Sequence, residues 1–207
     1  MTRTPLAVMN CPCRRRSIVY PKPWDGTYVG KNADNNSASE NVAARGDYAI
    51  NCGNMDFVEY WAGPDSLNQG DDPGYGWHDT KKCNGICFER SEVMPAQVFD
   101  GTSNTILIGE KYLTPDHYYT GQCAADNENM YTGFDNDNFR STTPNRPPLQ
   151  DRPGADDTLR FGSAHSDFCY FVFCDGSVRG ISYFVDPTTY GRLGARNDRE
   201  PVDVTKL

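Results

Sequence analysis

The residues of this chain best suited to chemistry are oxygen ligands in one polar segment. Asp135 and Asp137 stand two positions apart, and Asp126 stands nine positions before Asp135. Calcium takes about six to eight oxygen ligands, many of them carboxylates. The segment is not an EF-hand, because Arg140 stands where that loop needs glycine and no glutamate follows at its twelfth position. Calcium bound by Asp135, Asp137 and Asp126 is therefore one hypothesis, and a solvated polar loop is the other.

Eight cysteines form the second group, and their even number favours disulfides. So many cysteines are unusual in a cytosolic protein and typical of an oxidising compartment. Zinc is the competing interpretation, but the spacings lack the paired Cys-x2-Cys knuckles of common zinc sites. Cys83 and Cys87 flank a turn dipeptide and are one candidate disulfide, while the remaining connectivity stays open. The candidate disulfide cysteines are Cys11, Cys13, Cys52, Cys83, Cys87, Cys123, Cys169 and Cys174.

A third group joins His165 to Asp175 and Gly176, with nine residues between the histidine and the aspartate. Extended chain rises about 3.3 Å per residue, which puts the two side chains about 33 Å apart if the strand between them is straight. At that distance they cannot share a metal or a proton. We therefore expect structural roles, with His165 anchoring the start of a strand and Asp175-Gly176 forming a turn.

Composition and motifs argue against catalysis and against nucleic-acid binding. The three histidines stand in separate segments, and the chain has neither a Gly-x-Ser-x-Gly motif nor a glycine-rich phosphate loop. We therefore expect that the protein is not an enzyme. With 20 basic and 28 acidic residues, the chain does not offer the positive surface that phosphate contacts require. The basic run Arg14-Arg15-Arg16 is expected to be a solvated patch.

Aromatic residues in the loops support a second class of function. Two or more exposed, coplanar rings in one patch would bind a glycan or a protein partner. The commoner fate of such rings is to pack inward as core. The candidate binding aromatics are Trp61, Trp77, Tyr118 and Tyr119, with Tyr60 and Tyr75 beside them.

A β-hairpin over residues 168–184 is the strongest structural signal. Residues 168–174 and 177–184 are rich in aromatic and β-branched side chains, and only Asp175-Gly176 separates them. This dipeptide is typical of a two-residue type I′ turn. Such a turn would pair Phe171 with Gly180. Because both faces of the hairpin are apolar, we predict a central position in a sheet.

The rest of the chain predicts an α+β fold that is mainly antiparallel β, with long irregular loops. Further strands are expected at residues 5–10, 47–51, 86–90 and 105–108. Asp186 as N-cap and Pro187 at the first position predict a short C-terminal helix that reaches about Ala195. The length suits a single globular domain over residues 1–207. No stretch approaches the roughly 20 apolar residues of a membrane span.

Several segments, in order along the chain, are similar to one family. They include the His165 motif and residues 4–16, 44–49, 88–93, 100–113, 133–138 and 147–153. The chain resembles a large bacterial family of unknown function, abundant in planctomycetes, whose members look like type II secretion pseudopilins and carry a C-terminal His-x9-Asp-Gly motif. In this sequence the motif is His165, Asp175 and Gly176.

This resemblance implies a structural subunit, the pilin-like head of a prepilin-type protein. Its partners would be other pilin-like subunits or secretion-system proteins, and it would reach the membrane only through a prepilin helix. Family members begin with a basic leader and that long apolar helix, whereas this sequence begins in the globular part, so we expect a truncated product or a free-standing soluble form. With the helix the protein would be periplasmic or on the cell surface. An extracytoplasmic glycan- or protein-binding module is the alternative.

Overall fold

The computed structural model describes residues 2–22, 42–56, 63–203, 205 and 207. These residues form an α+β fold with short helices, in which most of the strand pairs are antiparallel, as the sequence predicts. No helix among them is both long enough and apolar enough to cross a bilayer. The strands are β1 (Val19–Pro21), β2 (Val42–Ala44), β3 (Tyr48–Asn51), β4 (Ile106–Glu110), β5 (Phe139–Arg140), β6 (Leu149–Gln150), β7 (Gly162–Ser163), β8 (Phe168–Phe173) and β9 (Val178–Ser182), and the α-helices are α1 (Leu67–Gly70) and α2 (Pro187–Gly194).

A five-stranded sheet organises the molecule, in the order β5-β3-β4-β8-β9. The four longer strands, β3, β4, β8 and β9, run antiparallel to one another, and the two-residue β5 runs parallel to β3. The described residues also form two small sheets, one of β1 with β2 and one of β6 with β7. Alternate side chains of each strand point to opposite faces, so the large sheet has two faces with different surroundings.

The inner face of the large sheet carries the main core. Phe171 and Phe173 of β8 and Ile106 of β4 are almost fully buried there. Helix α2 covers this face with Tyr190 and Leu193, which belong to the same apolar cluster. The opposite face, which we call the outer face, leaves large side chains exposed. Phe168 is 42 % exposed, Tyr170 44 % and Val178 65 %.

Helix α2 begins and ends where the sequence indicates. The Asp186 carboxylate accepts a hydrogen bond from the backbone N–H of Thr189 at 2.8 Å, and Pro187 occupies the first turn, where its missing N–H costs nothing. The helix ends at Gly194, next to the expected boundary. A side chain at Gly194 would collide with Thr142, so this glycine lets the helix end pack closely on the chain after β5.

The hairpin of β8 and β9 is present, but its turn is one residue longer than predicted. The backbone N–H of Phe173 donates to the carbonyl of Ser177 at 2.9 Å, and that of Gly176 donates back to Phe173 at 2.9 Å. The loop is therefore three residues long, with Gly176 alone in the left-handed region at φ +84°. The register moves by one, and Tyr170 rather than Phe171 pairs with Gly180.

The predicted central position of the hairpin is also wrong. Strand β9 is an edge strand of the sheet, and one face of the hairpin is open. The prediction took the apolar side chains on both faces of the hairpin as evidence that both faces are buried. The apolar side chains of the open face instead form the surface described below.

Replacing Gly176 with alanine is expected to destabilise the protein by about 1 kcal/mol. A Cβ at this position would meet nothing within 4 Å, so the cost comes from the left-handed backbone alone. Gly76→Ala is the matched control, because Gly76 also has open space and does not have a positive φ. The control should be neutral or slightly stabilising. Urea unfolding compares the two variants, and equal midpoints would contradict the turn geometry.

Two other predicted strands are not formed. Residues 5–10 contain a short 3-10 helix at Ala7–Met9 instead of a strand. Residues 86–90 make bends and a turn, with Arg90 at φ +59°. Both segments are short apolar runs that turns interrupt, and such runs carry little information on whether they extend or coil. The strand predicted at 47–51 is β3, and the strand predicted at 105–108 is β4, which continues to Glu110.

Candidate functional site

The outer face of the sheet carries a continuous apolar row. Ile50 pairs with Ile108, Ile108 with Val172, and Val172 with Val178, so the row crosses β3, β4, β8 and β9. Neighbouring strands lie about 4.8 Å apart, which makes this row about 14 Å wide. None of these four side chains is fully buried. The sheet therefore presents an apolar strip to its surroundings.

A groove of about 1000 Å³ lies over this strip. One wall is formed by residues 8–13, which include Val8 and Met9, and another by Met130 and Tyr131. Val8 is 81 % exposed, although it is apolar. Large exposed apolar surfaces of this kind mark sites of interaction in soluble domains.

A cluster of potential metal ligands stands at the edge of the groove. The sulfurs of Cys11 and Cys13 and a ring nitrogen of His165 all lie within 4.8 Å of one another. His165 Nε2 is 3.7 Å from Cys11 Sγ and 3.3 Å from Glu110 Oε1. Glu110 is the last residue of β4, and its side chain is buried under the cluster. Sequence reasoning missed this cluster, since Cys11 and His165 are 154 residues apart.

Hydrogen bonds to buried groups hold the cluster in place. The backbone N–H of Cys11 donates to Asp47 Oδ2 at 2.8 Å. The backbone N–H of Tyr170 donates to Glu110 Oε2 at 2.9 Å, which fixes the carboxylate. Tyr183 donates its hydroxyl hydrogen to the carbonyl of His165 at 2.8 Å. The backbone of Cys11 is thus bonded to Asp47, directly before β3, and the carbonyl of His165 to Tyr183, directly after β9.

The arginines that follow Cys13 form a buried ion network, which corrects the expectation of a solvated patch. Arg14 Nε donates to Asp151 Oδ2 at 2.8 Å, and Arg15 Nε donates to Asp47 Oδ1 at 2.8 Å. Both arginine side chains are fully buried, whereas Arg16 is exposed. Burial of these charges is tolerated because each has an anionic partner with well-aligned hydrogen bonds.

Asp126 is the centre of this network. Its carboxylate accepts hydrogen bonds from Arg15 Nη2 at 2.9 Å and from Lys111 Nζ at 2.9 Å. Burial alone would raise the pKa of Asp126, but the adjacent Arg15 and Lys111 outweigh it and hold that pKa well below its usual range. The network fastens the chain after Cys13 to the loop after β4.

The three carboxylates of the calcium hypothesis have different surroundings. Both oxygens of Asp126 are occupied by Arg15 and Lys111. Asp135 Oδ1 accepts a hydrogen bond from the backbone of Asp137. Asp137 Oδ1 accepts one from Glu128, and its buried Oδ2 has no hydrogen-bond partner among the described residues. Burial raises the pKa of the Asp137 carboxyl. Calcium binding stays a prediction, with Asp126 already committed to cations of the chain.

His165 and the Asp175-Gly176 turn lie at opposite ends of β8, as their spacing indicates. Asp175 accepts hydrogen bonds from the backbone and the hydroxyl of Ser177, at 2.8 and 2.7 Å, which is a turn role. The backbone of His165 stands at the start of the strand, and its imidazole also faces Cys11 and Glu110.

No disulfide joins any of the eight cysteines in the structure, and the predicted disulfides stay a prediction. Cys52 and Cys83 belong to one buried cluster with Phe139. Cys169 lies in the main core, and Cys123 lies in a third cluster with Leu113. Of the remaining four, Cys11 is also buried. Cys13, Cys87 and Cys174 are more accessible to solvent. Burial raises the pKa of the Cys123 thiol to about 11.

The described loop aromatics do not form the coplanar patch that a glycan site requires. Trp77 stands edge-on to Tyr75, with an interplanar angle of 72°. Tyr118 packs inward, and its hydroxyl donates to Asp151 at 2.6 Å. Tyr119 is exposed and tilted by 44° against Tyr20. Trp61 and Tyr60 lie outside the described residues.

The sheet and the groove define an α+β domain in which the described residues leave one apolar face of the sheet partly exposed. A family model with the short name SBP_bac_10, described as protein of unknown function (DUF1559), matches residues 2–188. The chain belongs to this family, and the expected membership in a family of unknown function is confirmed. Neither a curated protein nor a solved structure matches the chain.

Proposed function

We propose that this domain is a structural subunit, not an enzyme, and that it is the head of a pilin-like protein. In this proposal the outer face of the sheet packs against an apolar helix of the prepilin type. The observation that carries the proposal is the apolar strip of Ile50, Ile108, Val172 and Val178, which crosses four strands and which the described residues leave partly exposed. The family resemblance described above supports the same assignment.

The size of the strip suits a helix. An α-helix with its side chains is about 10–12 Å across, and the strip is about 14 Å wide. A helix laid along the groove would cover Val172 and Val178 and would contact Tyr170 at the side. Burial of apolar surface yields about 25 cal/mol per Å², so a helix that covers these side chains stabilises the assembly.

The path of the chain supports the same placement. The short helix Ala7–Met9 carries Val8 and Met9 on the groove wall. An apolar segment preceding these residues would therefore meet the groove directly. The partners of such a subunit are other pilin-like subunits or secretion-system proteins, in the periplasm or at the cell surface.

Photo-crosslinking tests the proposal in the cell of origin. Benzoylphenylalanine replaces Tyr170, which lines the groove and is 44 % exposed. After irradiation, we expect crosslinked peptides from an apolar helix, in the same polypeptide or in a pilin-like subunit. The crosslinked peptides are identified by mass spectrometry.

Phe99 is the matched control position, because it is 60 % exposed and is not part of the groove. Crosslinks to the helix should be at least tenfold more abundant from position 170 than from position 99. Equal yields from the two positions, or crosslinks from position 170 only to other kinds of molecule, would overturn the proposal. A bound glycan at position 170 would instead favour a binding module.

A further inference from the structure

We propose that Cys11, Cys13 and His165 bind a zinc ion, with the carboxylate of Glu110, which lies beside His165, as the nearest candidate for a fourth ligand. The ligand types fit this metal, since zinc takes thiolate sulfur, imidazole nitrogen and carboxylate oxygen. The site lies at the edge of the groove and would tie the chain around Cys11 to the ends of β4 and β8. It is independent of the proposed structural function.

The two distances from His165 Nε2 agree with tetrahedral coordination, and the sulfur of Cys13 lies within 4.8 Å of the other two ligand atoms of the cluster. With Zn–S bonds of about 2.3 Å and Zn–N bonds of about 2.05 Å, sulfur and nitrogen ligands lie about 3.6 Å apart. The observed distance from Cys11 Sγ to His165 Nε2 is 3.7 Å. Nitrogen and oxygen ligands lie about 3.4 Å apart in the same geometry. His165 Nε2 and Glu110 Oε1 are 3.3 Å apart.

A sulfur and a carboxylate oxygen converge on the same ring nitrogen. The Nε2 atom of a neutral imidazole carries at most one hydrogen, and both Cys11 Sγ and Glu110 Oε1 face it. Within the described part of the chain, His165 is the only basic side chain at ion-pair distance from Glu110. A divalent cation among these atoms would bind the sulfur, the nitrogen and the carboxylate together.

The surroundings of the cluster support a built site. The backbone N–H of Cys11 donates a hydrogen bond to the Asp47 carboxylate, which fixes the backbone of Cys11. The backbone N–H of Tyr170 donates one to the Glu110 carboxylate, which fixes that side chain. Such outer contacts orient metal ligands and raise metal affinity. Cys13 is exposed and His165 is half-buried, so an ion has a path from solvent. The assignment leaves six cysteines, still an even number, for disulfides.

The balance of protons is simple. Zinc binding displaces one proton from each cysteine thiol and takes an imidazole nitrogen that carries no hydrogen. Two protons are therefore released per ion when the cysteines start as thiols. No electron is transferred, because zinc has no redox chemistry.

Metal titration of the reduced protein tests the proposal. The full chain is treated with a chelator and a phosphine reductant, freed of both, and titrated with Zn²⁺ against a chromophoric competitor. We expect one zinc per chain. Co²⁺ in place of zinc should give the near-ultraviolet thiolate-to-cobalt absorption and the visible bands of tetrahedral coordination.

Three variants test the ligands. Cys13→Ser and His165→Ala should each weaken zinc binding by roughly 100-fold or more, since loss of outer contacts alone costs about 10–100-fold. Glu110→Gln should alter the visible cobalt spectrum and keep the thiolate absorption. Because Cys13 is exposed, Cys13→Ser should keep the circular dichroism spectrum and the urea midpoint of the metal-free protein.

Cys87→Ser is the matched control, because Cys87 is a half-buried thiol outside the cluster. It should bind one zinc with unchanged affinity. Zinc binding that is equal in the original protein and in Cys13→Ser would overturn the proposal, as would loss of binding in Cys87→Ser. The absence of the cobalt–thiolate absorption from the original protein would overturn it too.

Discussion

Replacing Asp126 with alanine is expected to lower the free energy of unfolding by about 3–5 kcal/mol. The substitution leaves Lys111 buried without the carboxylate at ion-pair distance and leaves Arg15 with Asp47 alone, and removal of one partner from a buried ion pair has this cost. Urea unfolding at neutral pH measures the loss through the transition midpoint and its slope.

A surface pair provides the control for loss of a charge. Arg192 Nη2 lies 3.0 Å from Glu200 Oε2, and the carboxylate side chain is 55 % exposed. Glu200→Ala should cost about 1 kcal/mol or less, as exposed ion pairs do. If Asp126→Ala is no more destabilising than Glu200→Ala, the buried network does not have the energetic role that its geometry indicates.

The same variant has a defined dependence on pH. The pKa of Asp126 is lower in the folded chain than in the unfolded chain, because Arg15 and Lys111 outweigh the effect of burial. Its stabilisation is therefore complete above the unfolded pKa of about 3.9 and declines as the pH falls below that value. The difference in stability between the original protein and Asp126→Ala should shrink between about pH 5 and pH 2.

The ion network shows why the basic run was misjudged from sequence. The partners of Arg14 and Arg15 stand far along the chain: Asp47 is 32 residues from Arg15, Asp126 is 111 from Arg15, and Asp151 is 137 from Arg14. Spacing within a short window carries no information on such pairs. The spread of acidic residues suggested a solvated surface, whereas three of them are the buried partners of these two arginines.

Helix α2 and strand β8 were predicted correctly, because both depend on signals in neighbouring residues of the sequence. Asp186 and Pro187 define the start of α2 through an N-cap hydrogen bond and a fixed φ, both local properties. The run of aromatic and β-branched residues defines β8. The register of the hairpin depends on one further residue in the turn, and Asp175-Gly176 is compatible with both lengths. For this hairpin, the sequence therefore predicts the two strands but not their register.

The candidate site depends on pairings that only the fold creates. The apolar strip needs the register of four strands, and the cluster of Cys11, Cys13 and His165 needs the anchored loop before β1 to meet the start of β8. The Cys-x-Cys spacing is a weak zinc signal by itself, because His165 and Glu110, the proposed partners of the two cysteines, belong to distant segments. A short motif with a missing partner is therefore insufficient to reject a metal site.

Replacing Phe171 with alanine is expected to destabilise the protein by about 3–5 kcal/mol, the usual cost of removing a buried aromatic ring. Phe171 is 1 % exposed, and its ring packs edge-on to Phe161 at 5.2 Å and to Tyr190 at 6.3 Å. Gly109 makes room for it, since a Cβ there would stand 2.5 Å from the ring. Urea unfolding measures the loss.

Phe168→Ala in the same strand is the matched control, because Phe168 is on the outer face and is 42 % exposed. It should cost less than about 1 kcal/mol. Comparable losses for the two variants would contradict the division of the sheet into a core face and an open face. The expected difference bears on the proposed function. The inner face of β8 would supply stability, and the outer face, with Tyr170 and Val172, is the surface on which the proposed helix would pack. The core could then stabilise the domain without burial of the apolar strip.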